Sequence, residues 1–150
     1  MQETARDKHR RPALLEQYKS AVRTKDLGGL ISLYREDVRV FDVWGAWSYE
    51  GTTAWRQAVG QWFASLQDET VHVAFDDVKV EADSCLAVAN ATVTYAAISA
   101  EGEELRFMQN RTTWVFTQGN GDWKIAHEHT SVPVGHDDLK AILKRGSSPS

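Results

Sequence analysis

The chain holds one cysteine in 150 residues, Cys85, so no disulfide can close within it, and that usage fits a reducing compartment. No apolar run approaches the roughly 18 residues that a membrane helix needs, and no signal-peptide core is visible; the expectation is a cytoplasmic protein that does not enter membranes. Positive charge is not in excess, with 17 Lys and Arg against 21 Asp and Glu and a net charge of -4. A surface for phosphates is normally basic, so nucleic acid is not an expected partner. The one basic cluster, Lys8-His9-Arg10-Arg11, reads as a solvated lead-in. Gly-x-Ser-x-Gly and glycine-rich phosphate loops are missing, and Cys85 has no base in view.

Hydrophobic residues at 42% and charged residues at 25% describe an ordinary folded chain, long enough for one domain that buries roughly 70% of its unfolded surface. Six Trp are many for this length and imply a wide apolar space, either core or pocket. Residues 1–11 read as a flexible arm, with Pro12 at the first turn of a helix whose stripe is Leu14, Leu15, Tyr18, Ala21 and Val22. Asp26-Leu27-Gly28-Gly29 breaks it, and Leu30, Ile31, Leu33 and Tyr34 predict a short second helix. A third helix starts at Thr52, with Trp55, Val59, Trp62, Phe63 and Leu66 on one face and Gly60 marking a close approach.

From Val71 the period changes to that of strands: Val71 to Val80, Leu86 to Ala100, Leu105 to Gln118 and Trp123 to Val132. Asn120-Gly121 is a type I′ hairpin signal, since both residues tolerate positive φ. Folded on that turn, Thr113 falls opposite Glu128 and Arg111 opposite Thr130; across Glu101-Gly102, Thr92 falls opposite Arg111 and Asn90 opposite Thr113. One face then carries Asn90, Thr92, Thr94, Gln109, Arg111, Thr113 and Glu128, and the other Val93, Tyr95, Met108, Trp114, Phe116, Ile125, His127 and His129. Residues 135–150 predict a short helix and a tail.

The fold class is therefore α+β, three helices in the N-terminal part packed over a curved, largely antiparallel (mixed) sheet, cone-shaped and enclosing a pocket.

The chemistry centres on Val38-Arg39-Val40-Phe41-Asp42-Val43-Trp44-Gly45. Alternation puts Val38, Val40, Asp42 and Trp44 on one side of a strand, setting a carboxylate among apolar neighbours. Burial raises a carboxyl pKa and makes a useful base; equally, Asp42 can simply end the strand before Gly45. His127-Glu128-His129 looks like a metal site, but on a strand the two imidazoles point away from Glu128, so neither metal nor other cofactor is expected. Arg111 with Glu128 forms either a ligand clamp or a structural ion pair. Tyr18 is either one residue of a core stripe or a donor to an oxyanion.

The runs Leu15 to Tyr34 (LEQYKSAVRTKDLGGLISLY), Glu36 to Gly45 (EDVRVFDVWG), Tyr49 to Arg56 (YEGTTAWR) and Asn120 to Pro133 (NGDWKIAHEHTSVP) resemble the SnoaL-like and ketosteroid isomerase-like branch of the nuclear transport factor 2-like superfamily. The last run is also similar to the calcium/calmodulin-dependent kinase association domain. The resemblance spans residues 12–134 and implies a homodimer through the sheet. It places Asp42 at the family's general base and Tyr18 at the phenol that donates to the dienolate oxygen. The second acid of the isomerases falls between Asn110 and Thr113, on Thr113, where no carboxylate stands. The implied pocket is lined by Tyr18, Asp42, Trp44, Val59, Trp62, Phe63, Asn90 and Arg111, with Thr113, Glu128 and His129 as further ligand contacts. Two functions follow: a cofactor-independent isomerase or cyclase moving a proton beside the carbonyl of a small, mostly apolar compound, or a ligand-binding or oligomerisation module without catalysis.

Overall fold

The computed structural model describes residues 5–146, and side chains from residue 13 onward. Its elements run α1 (Ala5–Thr24), α2 (Leu27–Ile31), β1 (Tyr34–Phe41), β2 (Tyr49–Glu50), α3 (Gly51–Ser65), β3 (Thr70–Ala82), β4 (Leu86–Ile98), β5 (Glu104–Gly119) and β6 (Asp122–Ser131). The six strands form one open sheet in the order β2-β1-β6-β5-β4-β3, in which only β1 and β6 are parallel. Helix α1 lies against β3 and α3 against β1, so the helices cover one face of the curved sheet as a cone. No helix among the described residues is long and apolar enough to cross a membrane.

The core sits between the layers. Val22, Leu30, Val38, Val40, Val93, Trp114, Phe116 and Ile125 are all below 2% exposed or close to it. In β4 the inner residues are Ala87, Ala89, Ala91, Val93, Tyr95 and Ala97, and strict alternation leaves Leu86, Val88 and Asn90 outside. Small side chains on this strand leave room under the helices.

Several expectations are corrected. The helix begins at Ala5 and runs through Pro12, so residues 5–11 belong to α1 and not to an arm; the Ala, Arg and Lys of this stretch favour helix, and Pro12 interrupts it at one bond. Residues 1–4 lie outside those described. The first helix ends at Thr24, as expected of the Asp26–Gly29 stretch, but Gly28 and Gly29 themselves lie in α2, because Asp26 caps it, its carboxylate accepting the Gly29 N–H at 3.0 Å. Tyr34 consequently opens β1. Residues 135–146 are not helical. Asp138 accepts the Lys140 N–H (3.0 Å), Leu139 takes a left-handed φ of 60°, and Val134 bridges Ala141. The segment then straps across β5, with the Gln109 N–H donating to the Leu143 carbonyl at 2.7 Å.

The hairpin on Asn120-Gly121 forms as expected, with φ of 55° and 86°. So does the β4–β5 register, Thr92 opposite Arg111 and Asn90 opposite Thr113. The β5–β6 register differs. Phe116 pairs with Ile125 but Val115 with His127, so Ala126 is an extra residue, a β-bulge. The bulge reverses the parity of β6: Trp123 and Ile125 face inward before it, Glu128 and Thr130 after it. Thr113 therefore faces His129, and Trp114 faces Glu128. Gly60 marks the contact of α3 with α2, where an added Cβ would stand 3.4 Å from Leu27.

Phe116, 1% exposed at the centre of this packing, gives the test. Phe116→Ala is expected to cost roughly 3–5 kcal/mol, read as a lower urea midpoint at unchanged slope. A loss below about 1 kcal/mol would mean that the cone is not packed around this strand.

Candidate functional site

Beneath α1 and α3 the sheet leaves a cavity of about 630 Å³. Tyr18 comes from α1, Trp55, Val59 and Trp62 from α3, Asp42 and Trp44 from the turn after β1, Tyr95 from β4, Asn110 from β5, and Glu128 and Thr130 from β6. Most of the wall is aliphatic or aromatic, with a few polar groups set in it, which is the usual form of a small-molecule site.

Two carboxyl groups face this space in different surroundings. Asp42 sits just past the end of β1, half-buried, and its Oδ1 accepts the Thr130 hydroxyl at 3.0 Å. That hydroxyl oxygen in turn accepts the Val43 N–H at 2.8 Å, which fixes Thr130 and so the carboxylate. Burial raises the Asp42 pKa, against the pull of Thr130 and of the Trp44 and Val43 backbone. Glu128 is 3% exposed. Its Oε1 accepts the Tyr34 hydroxyl at 2.7 Å and the Trp114 indole N–H at 3.0 Å. Burial lifts its pKa to about 7, helped by the charge of Asp42 and resisted by those two donors.

Across the cavity the Tyr18 and Tyr95 hydroxyls meet at 3.1 Å. Burial holds both phenols above their ordinary pKa, so they stay protonated. In such a pair one hydroxyl donates to the other, and the second proton is left for a ligand. At the mouth, Arg106 is bound to Glu69 at 2.6 Å. The Trp44 turn is held by Tyr49, whose hydroxyl accepts the Ala46 N–H (3.1 Å) and donates to the Trp44 carbonyl (3.3 Å). Gly45 belongs there, with a φ of 84° and a position where a Cβ would strike that hydroxyl.

Of the residues expected from sequence, Tyr18, Asp42, Trp44, Val59, Trp62 and Glu128 line the cavity. Trp44 stands at its rim, 53% exposed. Phe63 is core, its ring tilted against that of Trp62 with the centroids 5.2 Å apart. Asn90, Arg111, Thr113 and His129 are corrected: all four are exposed on the outer face. Alternation along β4 and β5 settles the first three. Arg111 donates to Ser131 (3.1 Å) and shares no face with Glu128. His129 and His127 pack edge-on against Phe41, at 5.4 and 5.1 Å, across the sheet from Glu128. No group of three metal-ligating side chains forms among the described residues.

Tyr34, Tyr95, Asn110, Trp114 and Thr130 are site residues that the sequence did not single out. The Ala87-x-Ala89-x-Ala91-x-Val93-x-Tyr95 alternation carried a signal for Tyr95; the parity of Thr130 was hidden by the bulge.

A model of the SnoaL-like domain matches residues 12–135. No curated protein matches the chain. Among solved structures, a nuclear transport factor 2-like protein of unknown function from Pseudomonas putida is similar at 23% identity and a TM-score of 0.80, covering 97% of this chain and 100% of that one. Aln2 from a Streptomyces species aligns at 13% identity and a TM-score of 0.75, over 87% of this chain and 93% of its own. A nuclear transport factor 2-like protein with a cystatin-like fold from Novosphingobium aromaticivorans aligns at 17% and 0.72, over 95% and 85%. At these identities the likeness is one of fold.

The buried acid makes stability depend on pH. The folded pKa of Glu128 lies near 7, above its ordinary 4.5, so between these values the native state holds a proton that the unfolded state has released. Stability present below about pH 4.5 is therefore lost as pH rises through about 7, a loss on the order of 3 kcal/mol from this group. Glu128→Gln should flatten that part of the curve, as read by urea unfolding across the range; an unchanged slope would mean that Glu128 is ionised when folded.

Proposed function

Since the chain belongs to the SnoaL-like domain family, whose fold here encloses a small-molecule pocket, we propose that it is a cofactor-independent enzyme that moves a proton next to the carbonyl of a small, mostly apolar compound. The observation that carries this reading is Asp42: a carboxylate with a raised pKa, fixed by Thr130, opening on an apolar cavity whose phenol pair can donate to an oxygen.

In the proposed reaction the carbonyl oxygen lies against the Tyr18–Tyr95 pair and the neighbouring C–H against Asp42. Asp42 takes the proton as the C–H pair moves into a C–C double bond and the carbonyl pair onto oxygen. The enolate charge is held by the phenol hydrogen. Where the enolate is conjugated with a second double bond, the Asp42 acid returns the proton to the far carbon, which gives an isomer; alternatively the enolate carbon attacks a second carbonyl in the same molecule and the new alkoxide takes the proton back from Asp42, which gives a ring. Neither path needs a redox partner or a metal. Only the ionised form of Asp42 can begin it, so the rate should rise with pH through the raised Asp42 pKa.

The test is exchange of α-hydrogens for deuterium in enolisable cyclic ketones, followed by proton NMR. Asp42→Asn is expected to lower exchange by about 10²- to 10⁴-fold while folding normally. Unchanged exchange by the variant would remove Asp42 from the chemistry and favour the binding module without catalysis.

We further propose that a second copy covers the outer face of β4 and β5, where Leu86, Val88 and Phe107 are exposed and no described helix packs. Light scattering after size exclusion should return twice the chain mass; monomer alone at micromolar concentration would overturn this.

A further inference from the structure

We infer that the segment after Pro133 is part of the binding site and that Leu143 is a specificity-determining residue, closing the cavity wall toward the mouth and receiving the apolar tail of an elongated ligand. This deepens the proposed site and takes from that reading only that the carbonyl of the ligand lies beside Asp42.

The wall has a gap there because the strands end at different places. β6 stops at Ser131, paired with Arg111, whereas β5 reaches back to Glu104. Asn110, Met108 and Arg106 of this overhang line the cavity, so the edge beside them would stand open to water. The segment takes the place that β6 leaves. The Gln109 N–H donates to the Leu143 carbonyl and the Arg145 N–H to Gln109 Oε1, each at 2.7 Å. Gln109 is itself held, its Nε2 donating to the Thr94 hydroxyl at 2.9 Å.

The approach to Leu143 is fixed as well. The Gly135 N–H donates to the Lys140 carbonyl and the Ile142 N–H to the Pro133 carbonyl, both at 2.8 Å. Beyond it the Lys144 ammonium lies 4.5 Å from the centre of the Phe107 ring. These contacts would serve a plain cover for the strand edge equally well. A plain cover, however, has no need of an apolar side chain in the cavity wall. Leu143 is half-buried there, while Lys144 and Arg145 are exposed. Leu143 also stands beyond the SnoaL-like match, which ends at residue 135, so the family assignment does not account for it.

Its position sets a length for the ligand. Asp42 is bound by Thr130, and Thr130 pairs with Thr112. Gln109, which holds Leu143, precedes Thr112 on β5 by a distance of about 10 Å at the usual rise of a strand. A ligand whose carbonyl lies at Asp42 therefore meets Leu143 only if its apolar chain extends about that far toward the mouth. Short ligands leave Leu143 untouched.

Methyl n-alkyl ketones from 2-hexanone to 2-undecanone measure this span, with affinity read by isothermal titration calorimetry. In the unaltered protein, affinity should rise about fourfold per methylene up to 2-undecanone. Leu143→Ala should leave 2-hexanone within about twofold and weaken 2-undecanone about tenfold. Leu143→Met keeps an apolar chain of similar reach and should bind both as the unaltered protein does. An equal loss at every length, no loss at any length, or as large a loss in Leu143→Met would overturn the inference. Amide hydrogen exchange in the unaltered protein decides without a variant: 2-undecanone should slow exchange at Gln109 and Arg145 and 2-hexanone should not, and equal protection by both refutes it. The 1-alkanols of the same lengths carry the chain without the carbonyl. If they show the loss in Leu143→Ala while the ketones do not bind, the carbonyl reading fails and the role of Leu143 stands; if neither series binds, the inference is overturned. None of these readouts involves turnover, so the role of Asp42 is decided separately.

Discussion

Burying a carboxyl group in a mostly apolar wall is the constraint on which the rest of this structure depends. Glu128 satisfies it by drawing donors from two neighbouring strands: Tyr34 at the start of β1 and Trp114 in β5, both converging on one oxygen. An isolated charge there would cost many kcal/mol, so the group stays neutral over most of the acidic range and the two donors are locked in place. Trp114 is 2% exposed and Tyr34 4%, with Trp55 edge-on to Tyr34 at 6.2 Å. The polar contact thus fixes two large aromatic groups of the core behind the cavity wall and joins β1, β5 and β6.

The empty space of the cavity is a matter of size matching. Alanines at 87, 89, 91 and 97 make the inner face of β4 shallow, while Tyr18 from α1 and Trp55 and Trp62 from α3 form a wall that small residues cannot fill. The polar atoms left in the wall are of two kinds. Phenols held protonated by burial can donate, and one carboxylate, Asp42, can accept. A site of this composition favours a ligand with one oxygen that gains charge and one C–H that loses a proton.

Legibility varied from strand to strand for identifiable reasons. The β4–β5 register followed from simple alternation about Glu101-Gly102, and Asn90 and Arg111 fell where pairing put them. The resemblance that turned them toward the pocket misplaced them along with Thr113. In β6, Ala126 carries no mark of a bulge, yet it reverses Glu128 and Thr130 relative to Ile125. Pro12 looked like a helix start because proline suits that position, but the preceding residues are helix formers as well. The tail was expected to be helical; the side chain of Asp138 and the part of β5 before Arg111, which β6 does not reach, took the backbone instead.

By itself the sequence determined what local pattern can determine: the helical stripe of α1, the apolar face of α3, the period-2 strands, the Asn120-Gly121 turn, the α+β class and the family. It also marked Asp42 and Tyr18 as the groups to watch. Only the tertiary structure decided which carboxyl is buried, which face of each strand lines the cavity, and that Tyr18 meets Tyr95 across 77 residues of chain. The physical reason is that a side chain's direction depends on the cumulative parity of its strand, which one unpaired residue reverses. Its ionisation depends on neighbours that are distant in sequence and adjacent only after folding.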